Sequence, residues 1–232
     1  MNFISHFYAD RGVQDALFIV GTVTPDLMSI YNAKYRVKNS HLNKFDRLAH
    51  PEVPRSFLKG LERHFFVDRI FHDSDNFRRE TERISQELPL RLPQYDIQRK
   101  FFIGHLLLEL LMDKIIIDQD PRILEEFYGH FADAGQYAPL QQFTGLVAGH
   151  TLGTYVSFLR KFYENKYLYK YQEYAHLIWV LGQLLRRVRV ESRDFLHAPA
   201  FLDYMKEYET GLVDRFEIFF TEIHNAEGFS FD

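Results

Sequence analysis

The 232-residue chain contains no cysteine. Disulfide bonds, thiolate zinc sites and cysteine nucleophiles are therefore excluded, and we expect a reducing compartment. Residues 1–12 also lack a basic stretch followed by an apolar stretch and a small-residue cleavage site, so nothing there resembles a signal peptide. From these two absences we expect a cytoplasmic protein.

Other absences narrow the class of function. The formal net charge is −4, so there is no global attraction to nucleic acid or to anionic lipid. The most apolar stretch, residues 101–117, is too short and too charged for a membrane span, which needs about 20 mostly uncharged residues. Glycine-rich nucleotide-binding loops and the GxSxG motif of serine hydrolases are missing as well. We therefore expect neither a membrane span nor a nucleic-acid partner.

Apolar residues recur at helical spacing along the chain, and no segment alternates as a strand does. We predict an all-α fold in one compact domain, residues 1–232. Pro25 should kink or break a helix over residues 13–30. Residues 31–52 should form a long loop, and Pro89 and Pro93 should close a helix over residues 76–88. Further helices are predicted near residues 140–163, 171–190 and 199–224.

Residues 101–117, FFIGHLLLELLMDKIII, are apolar on every side and should form the central buried helix. His105, Glu109 and Asp113 follow one another at intervals of four, so they share one face of that helix. Burying ionisable groups costs several kcal/mol each unless they are paired or bind a metal. This stripe therefore needs a partner.

A second stripe lies on the strong helix predicted for residues 54–75, where His64, Asp68 and His72 are also four residues apart. Two helices that present imidazoles and carboxylates in this way are typical of a metal site between packed helices. With Asp26 and His6 as further donors, there are enough nitrogen and oxygen ligands for one or two cations such as Mn²⁺, Mg²⁺, Fe²⁺ or Zn²⁺.

The same residues carry a family resemblance. MNFxxH at the start, Gly21 with Pro25-Asp26, the segment Gly60-Leu-x-x-His64-x-x-x-Asp68, Phe77 beyond it, and the pair Glu109/Asp113 resemble the acyl carrier protein phosphodiesterases. That family is similar to the HD-type metal-dependent phosphohydrolases, and the resemblance covers about the first half of the chain. Thr-Asp-Ser-His-Pro usually follows the His/Asp helix in the family, whereas this chain has Phe71-His72-Asp73-Ser74-Asp75.

The resemblance implies an all-helical phosphoric diester hydrolase that removes 4'-phosphopantetheine from a serine of holo acyl carrier protein. It implies a divalent metal, with Mn²⁺ favoured over Mg²⁺, Fe²⁺ and Zn²⁺. The matching metal positions are His6, Asp26, His64, Asp68 and Asp113, and Glu109 stands where the family usually has Asp. We expect catalytic roles for His6, His105 and Glu109, with His6 or His105 as the acid or base.

Two alternatives stay open at the level of sequence. The same chemistry suits another small phosphoester substrate, such as a phospholipid headgroup or a nucleotide. The chain is also compatible with a non-catalytic helical protein whose stripes are internal salt bridges.

Two groups of basic residues are candidate docking surfaces for an acidic partner such as acyl carrier protein. One is the predicted loop, at residues 34–47, and the other contains Arg186, Arg187 and Arg189. The second group also suits the C-terminal end of a helix dipole. Residues 161–174 interleave lysine and tyrosine, which is compatible with base stacking, but we favour amphipathic helices with inward-facing rings.

Overall fold

The computed structural model describes residues 1–46, 48–133, 138–150 and 152–229, and within them the chain forms helices and no strand. The α-helices are α1 Phe3–Ala9, α2 Ala16–Tyr31, α3 Asn39–Asn43, α4 Arg55–Asp73, α5 Asp75–Arg91, α6 Lys100–Gln119, α7 Arg122–Asp133, α8 Ala138–Ala148, α9 Tyr155–Asn165, α10 Tyr174–Arg187, α11 Pro199–Val213 and α12 Glu217–Asn225. Short 3-10 helices occur at Ala33–Tyr35, Tyr167–Gln172 and Asp194–His197. The predicted all-α class is confirmed.

The stripe-bearing helices form where the sequence predicts them. α6 extends the predicted central helix by one or two residues at each end, and it is buried along most of its length. α4 covers the predicted helix from Arg55 to Asp73. None of the helices in the described part of the chain is long and apolar enough to cross a membrane.

The predicted helix break at Pro25 and the predicted helix end at Pro89 are wrong, whereas α5 does end two residues before Pro93, as expected. α2 continues through Pro25 to Tyr31, and α5 continues through Pro89 to Arg91. A proline inside a helix removes one backbone hydrogen bond but does not by itself end the helix when packing holds the flanking turns. Asp26 therefore lies on a continuous helix and not at a helix break.

Two other segments also differ from the prediction. Residues 31–52 include the 3-10 turn at Ala33–Tyr35 and the short helix α3, so this segment is not only a loop. The helical region predicted near residues 140–163 is divided into α8 and α9, and Gly149 lies between them with φ of +76°. That left-handed backbone favours glycine and cannot continue a right-handed helix.

The chain divides into two compact units. The first unit comprises Met1–Arg69, Pro121–Tyr167 and the segment that starts at Glu227, and the second comprises Ile70–Asp120 and Leu168–Ala226. The single domain expected from the sequence stays a prediction.

In the first unit, α1, α2 and α7 pack against one another. α2 and the first-unit part of α4 approach closely at Gly21 and Gly60, where a Cβ on either glycine would lie 2.9 Å from an α-carbon of the other. A Cβ on Gly60 would also clash with the carbonyl oxygen of Phe18. Only glycine permits this backbone approach.

In the second unit, α5 and α6 form the most extensive helix pair, and α10, α11 and α12 pack around them. Gly104 of α6 lies against α5, so that an added Cβ would be 2.8 Å from the carbonyl oxygen of Thr81. Three of the charged residues buried in this unit have partners in it. Lys114 donates a hydrogen bond to Asp118 and lies 3.3 Å from Glu209, and Glu80 accepts hydrogen bonds from Tyr208 and Arg215. Pairing offsets the cost of removing these groups from water.

Candidate metal centres

Four candidate ligands meet inside the first unit. α1 contributes His6, α2 contributes Asp26, and α4 contributes His64 and Asp68, and we call these four residues the His6 cluster. His6, Asp26 and His64 each offer a ligand atom that lies within 4.8 Å of the others. All four are metal ligands implied by the sequence resemblance.

Asp68 joins the two histidines of the His6 cluster. Its Oδ1 lies 3.3 Å from His6 Nε2, and its Oδ2 lies 3.4 Å from His64 Nε2. His6 Nε2 is also 4.0 Å from Asp26 Oδ2. The two imidazole rings stack with centroids 4.3 Å apart.

The cluster has a buried side and an open side. The His6 side chain is fully buried and that of His64 nearly so. Asp26 and Asp68 have 33% and 27% of their side-chain surface exposed. A ligand from solvent therefore reaches the carboxylates first.

His64 is held in one tautomer. Its Nδ1 donates a hydrogen bond of 2.7 Å to the backbone carbonyl of Thr22, so the lone pair of the neutral ring is on Nε2, which faces Asp68. Burial, and then the nearby charge of His6, lower the pKa of His64 to about 4. The ring is therefore neutral at pH 7, which is the form that binds metals.

Asp68 is ionised at neutral pH. Burial acts to raise its pKa, but the α-amino group of Met1, 2.7 Å from Oδ1, together with His64 and His6, holds that pKa well below its usual range. A neutral imidazole beside an ionised carboxylate is a donor set that suits Mn²⁺, Fe²⁺ or Zn²⁺. The residues of the His6 cluster therefore fit the divalent cation that the sequence predicts.

A second group of candidate ligands lies in the second unit. His72 from the last turn of α4 and His105 from α6 both direct Nε2 at Glu109 Oε1, at 3.2 Å and 3.0 Å. We call these three residues the His105 cluster, and one ligand atom of each lies within 4.8 Å of the other two. Burial acts to raise the pKa of Glu109, but hydrogen bonds from the two histidines contribute to a pKa well below its usual range.

The predicted stripes are therefore distributed between the two clusters. His64 and Asp68 group with His6 and Asp26, whereas His72 groups with His105 and Glu109. Asp113 is fully buried on α6 and belongs to neither group of possible ligands among the described residues. Its role as a metal ligand stays a prediction, as do the catalytic roles of His6, His105 and Glu109.

One residue of functional interest, Thr22, was not predicted from the sequence. Thr22 fixes the tautomer of His64 through its backbone carbonyl, and a backbone group leaves no signature in side-chain spacing. The nearest signal was Gly21, because a glycine in an apolar helix indicates close backbone contact with a neighbour.

No protein-family model, curated protein or solved structure matches the chain. The geometry of the two clusters and the resemblance of the sequence motifs are therefore the grounds for a function.

Proposed function

We propose that the protein is a metal-dependent phosphodiesterase that resembles the acyl carrier protein phosphodiesterases and has its metal centre at the His6 cluster. One observation carries the proposal: four of the five metal positions implied by the resemblance meet in the first unit, although they are up to 62 positions apart in the chain. The meeting of side chains from three helices, α1, α2 and α4, at these positions supports the proposal.

His6, Asp26, His64 and Asp68 are the residues that would hold the cation. A divalent cation at that position supplies charge stabilisation at a phosphoryl group and a nucleophile from water at neutral pH. The hydrogen bond from His64 to Thr22 orients one donor. Asp26 and Asp68 provide negative charge on the solvent-facing side of the cluster, where a substrate approaches.

The reaction is the hydrolysis of a phosphodiester. A water oxygen bonds to phosphorus, the bond between phosphorus and the serine oxygen breaks, and that oxygen takes up a proton. The products are 4'-phosphopantetheine and apo acyl carrier protein. Proton transfer by His6, His105 or Glu109 belongs to this proposal as an expectation from the sequence.

A specific contact also supports the non-catalytic alternative. The α-amino group of Met1, whose side chain is buried, is ion-paired with Asp68 at 2.7 Å, as in an internal salt-bridge network. Such a network satisfies the buried charges without a metal. Metal content therefore separates the two functions.

The experiment is an activity panel with Mn²⁺. Purified protein is incubated with holo acyl carrier protein, phospholipid vesicles or a cyclic nucleotide, and the products are identified by mass spectrometry. The proposal predicts conversion of holo to apo acyl carrier protein with release of 4'-phosphopantetheine. Hydrolysis of phospholipid or cyclic nucleotide alone would support a phosphodiesterase but reject acyl carrier protein as its substrate. No hydrolysis of any of the three would favour the non-catalytic alternative.

A further inference from the structure

The His105 cluster has the composition of a metal site by itself. Its donors are two imidazoles and one carboxylate, and this set is known from catalytic zinc sites and from non-haem iron sites. All three residues belong to the second unit, and none of them is a ligand in the function proposed above.

The donor separations agree with metal coordination. With metal–ligand bonds of about 2.0–2.1 Å, neighbouring ligand atoms lie about 2.9 Å apart at right angles and about 3.3–3.4 Å apart at the tetrahedral angle. The Nε2 atoms of His105 and His72 are 3.0 Å and 3.2 Å from Glu109 Oε1. A cation can therefore bridge each imidazole and the carboxylate with little movement of the side chains.

The surroundings orient the histidines and leave one side open. Phe77 contacts both rings edge-on, with centroids 5.0 Å from those of His72 and His105. Phe71 and Phe102 flank the pair. His72 and His105 nevertheless keep 30% and 26% of their side-chain surface exposed, which leaves space for solvent ligands. Three protein ligands with an open position are typical of catalytic rather than structural zinc sites.

The protonation of the two Nε2 atoms differs between a hydrogen-bonded cluster and a metal site. Without a cation, both Nε2 atoms must carry a proton to donate to Glu109. With a cation, both must lose that proton. The tautomer of His72 and His105 therefore distinguishes a metal site from a polar cluster.

We propose that His72, His105 and Glu109 form a second, separate binding site for a borderline divalent cation, for which Zn²⁺ is the probe. This assignment makes His105 and Glu109 ligands instead of the acid–base residues expected from the sequence. It does not require that the His6 cluster bind metal.

The test measures Zn²⁺ binding by calorimetry in the full-length Asp26→Ala/Asp68→Ala protein, which lacks both carboxylates of the His6 cluster. We expect about one equivalent of Zn²⁺ to bind. Adding His105→Ala should weaken that binding by about 100-fold or more, since loss of even a residue that supports a ligand costs about 10–100-fold. The matched control is His176→Ala, which removes another half-buried histidine of the second unit that is in neither ligand group of the described residues.

If circular dichroism shows that the His105→Ala protein is unfolded, Glu109→Gln provides the test instead. Glutamine retains the side-chain volume and an acceptor oxygen. It should weaken Zn²⁺ binding by about 10-fold or more. Nitrogen-15 NMR should show that two imidazole Nε2 atoms lose their protons when Zn²⁺ is added to the Asp26→Ala/Asp68→Ala protein, but not when Glu109→Gln is also present.

Two results would overturn the proposal directly: no Zn²⁺ binding to the Asp26→Ala/Asp68→Ala protein, or unchanged Zn²⁺ affinity when Glu109→Gln is added. A third is a loss of Zn²⁺ affinity in His176→Ala as large as that in His105→Ala, because it would indicate non-specific surface binding. If instead the proposed function is wrong and the His6 cluster binds no metal, the binding data would differ from these three results. The wild-type protein would then bind a single equivalent that Asp68→Ala leaves unchanged and Glu109→Gln weakens.

Discussion

The Nδ1 atom of His64 lies 2.7 Å from the backbone carbonyl oxygen of Thr22. This bond links α4 to α2 one residue beyond Gly21, where the backbones of the two helices lie close together. Helix packing and donor orientation therefore depend on the same contact. A change that separates α2 from α4 should disturb both the fold and the His6 cluster.

The first prediction concerns that approach. Gly60→Ala places a methyl group against the backbone of Phe18 and Gly21, so the helices must separate. We expect a loss of about 1–3 kcal/mol in the free energy of unfolding, as for other overpacked sites. Denaturant titration measures it. Gly129→Ala is the matched control, because nothing lies within 4 Å of the added Cβ, and it should stabilise helix α7 by about 0.5–1 kcal/mol. An unchanged midpoint for Gly60→Ala would show that the close approach is not required.

The second prediction concerns charge at the open side of the His6 cluster. Asp26→Asn preserves the shape of the side chain and removes a negative charge 4.0 Å from His6. We expect phosphodiesterase activity to fall at least about 10–100-fold, because the cation loses an anionic ligand or its orienting partner. The melting temperature should change by no more than about 2 °C, since the side chain is partly exposed. An unchanged rate in Asp26→Asn would show that Asp26 neither binds the cation nor orients its ligands.

The third prediction concerns docking of an acidic partner. Lys34, Arg36, Lys38 and Lys44 are exposed in the first unit, and Arg186, Arg187 and Arg189 are exposed in the second. Arg47, the last residue of the basic loop named in the sequence analysis, lies outside the described residues. Burial, and then the positive charges of Lys38 and Lys44, lower the pKa of His41, so these two lysines lie close enough to act on the same ring.

We expect Lys34→Glu/Arg36→Glu, or Arg186→Glu/Arg187→Glu, to slow turnover of holo acyl carrier protein and to reduce its dependence on salt. Hydrolysis of a small generic phosphodiester should be unchanged. Arg160→Glu/Lys161→Glu reverses two exposed charges on α9 and serves as the control. Equal loss on large and small substrates would indicate damage to the fold or to the metal centre, and no loss on either would favour a small phosphoester substrate.

The fourth prediction concerns acid stability of the second unit. Burial acts to raise the pKa of Glu80, but hydrogen bonds from Arg215 and Tyr208 lower it below its usual value of 4.5. A carboxylate whose pKa is lower in the folded state stabilises the fold above its unfolded pKa and loses that contribution as the pH falls through the folded value. Wild-type unfolding free energy should therefore decrease below about pH 4.5.

Glu80→Gln should lower stability at pH 7 and flatten the decrease below pH 4.5. The measurement is denaturant unfolding from pH 7 to pH 3. Glu82→Gln, an exposed change on the same helix, should leave the pH dependence as in the wild type. An equally steep decrease in Glu80→Gln would assign the acid sensitivity to other groups.

The spacing of residues along the sequence predicted the contacts that form within a single helix. His64 with Asp68, and His105 with Glu109, are four residues apart and do make contact, at 3.4 Å and 3.0 Å. Helical periodicity alone determines such pairs. The helical class and the burial of α6 followed from the same reasoning.

Contacts between helices were harder to predict. Spacing placed Asp113 on the stripe with Glu109, but the described residues that approach Glu109 as possible co-ligands are His72 and His105. The Thr22 carbonyl acts through the backbone, and Pro25 is accommodated inside a packed helix. Each of these features depends on tertiary packing, which local patterns do not encode.

The most direct test of the proposed function is metal-dependent hydrolysis after chelation. Protein stripped with a chelator and dialysed should not hydrolyse bis(p-nitrophenyl) phosphate, and added Mn²⁺ should restore turnover. Asp68→Ala, folded by circular dichroism, should bind less metal and show a rate at least about 100-fold lower at the same Mn²⁺ concentration. Glu62→Ala, on the same helix, should behave as the wild type. Full metal content and full turnover in Asp68→Ala, or no Mn²⁺-dependent turnover in the wild type, would contradict the proposal that the His6 cluster is the metal centre of a phosphodiesterase.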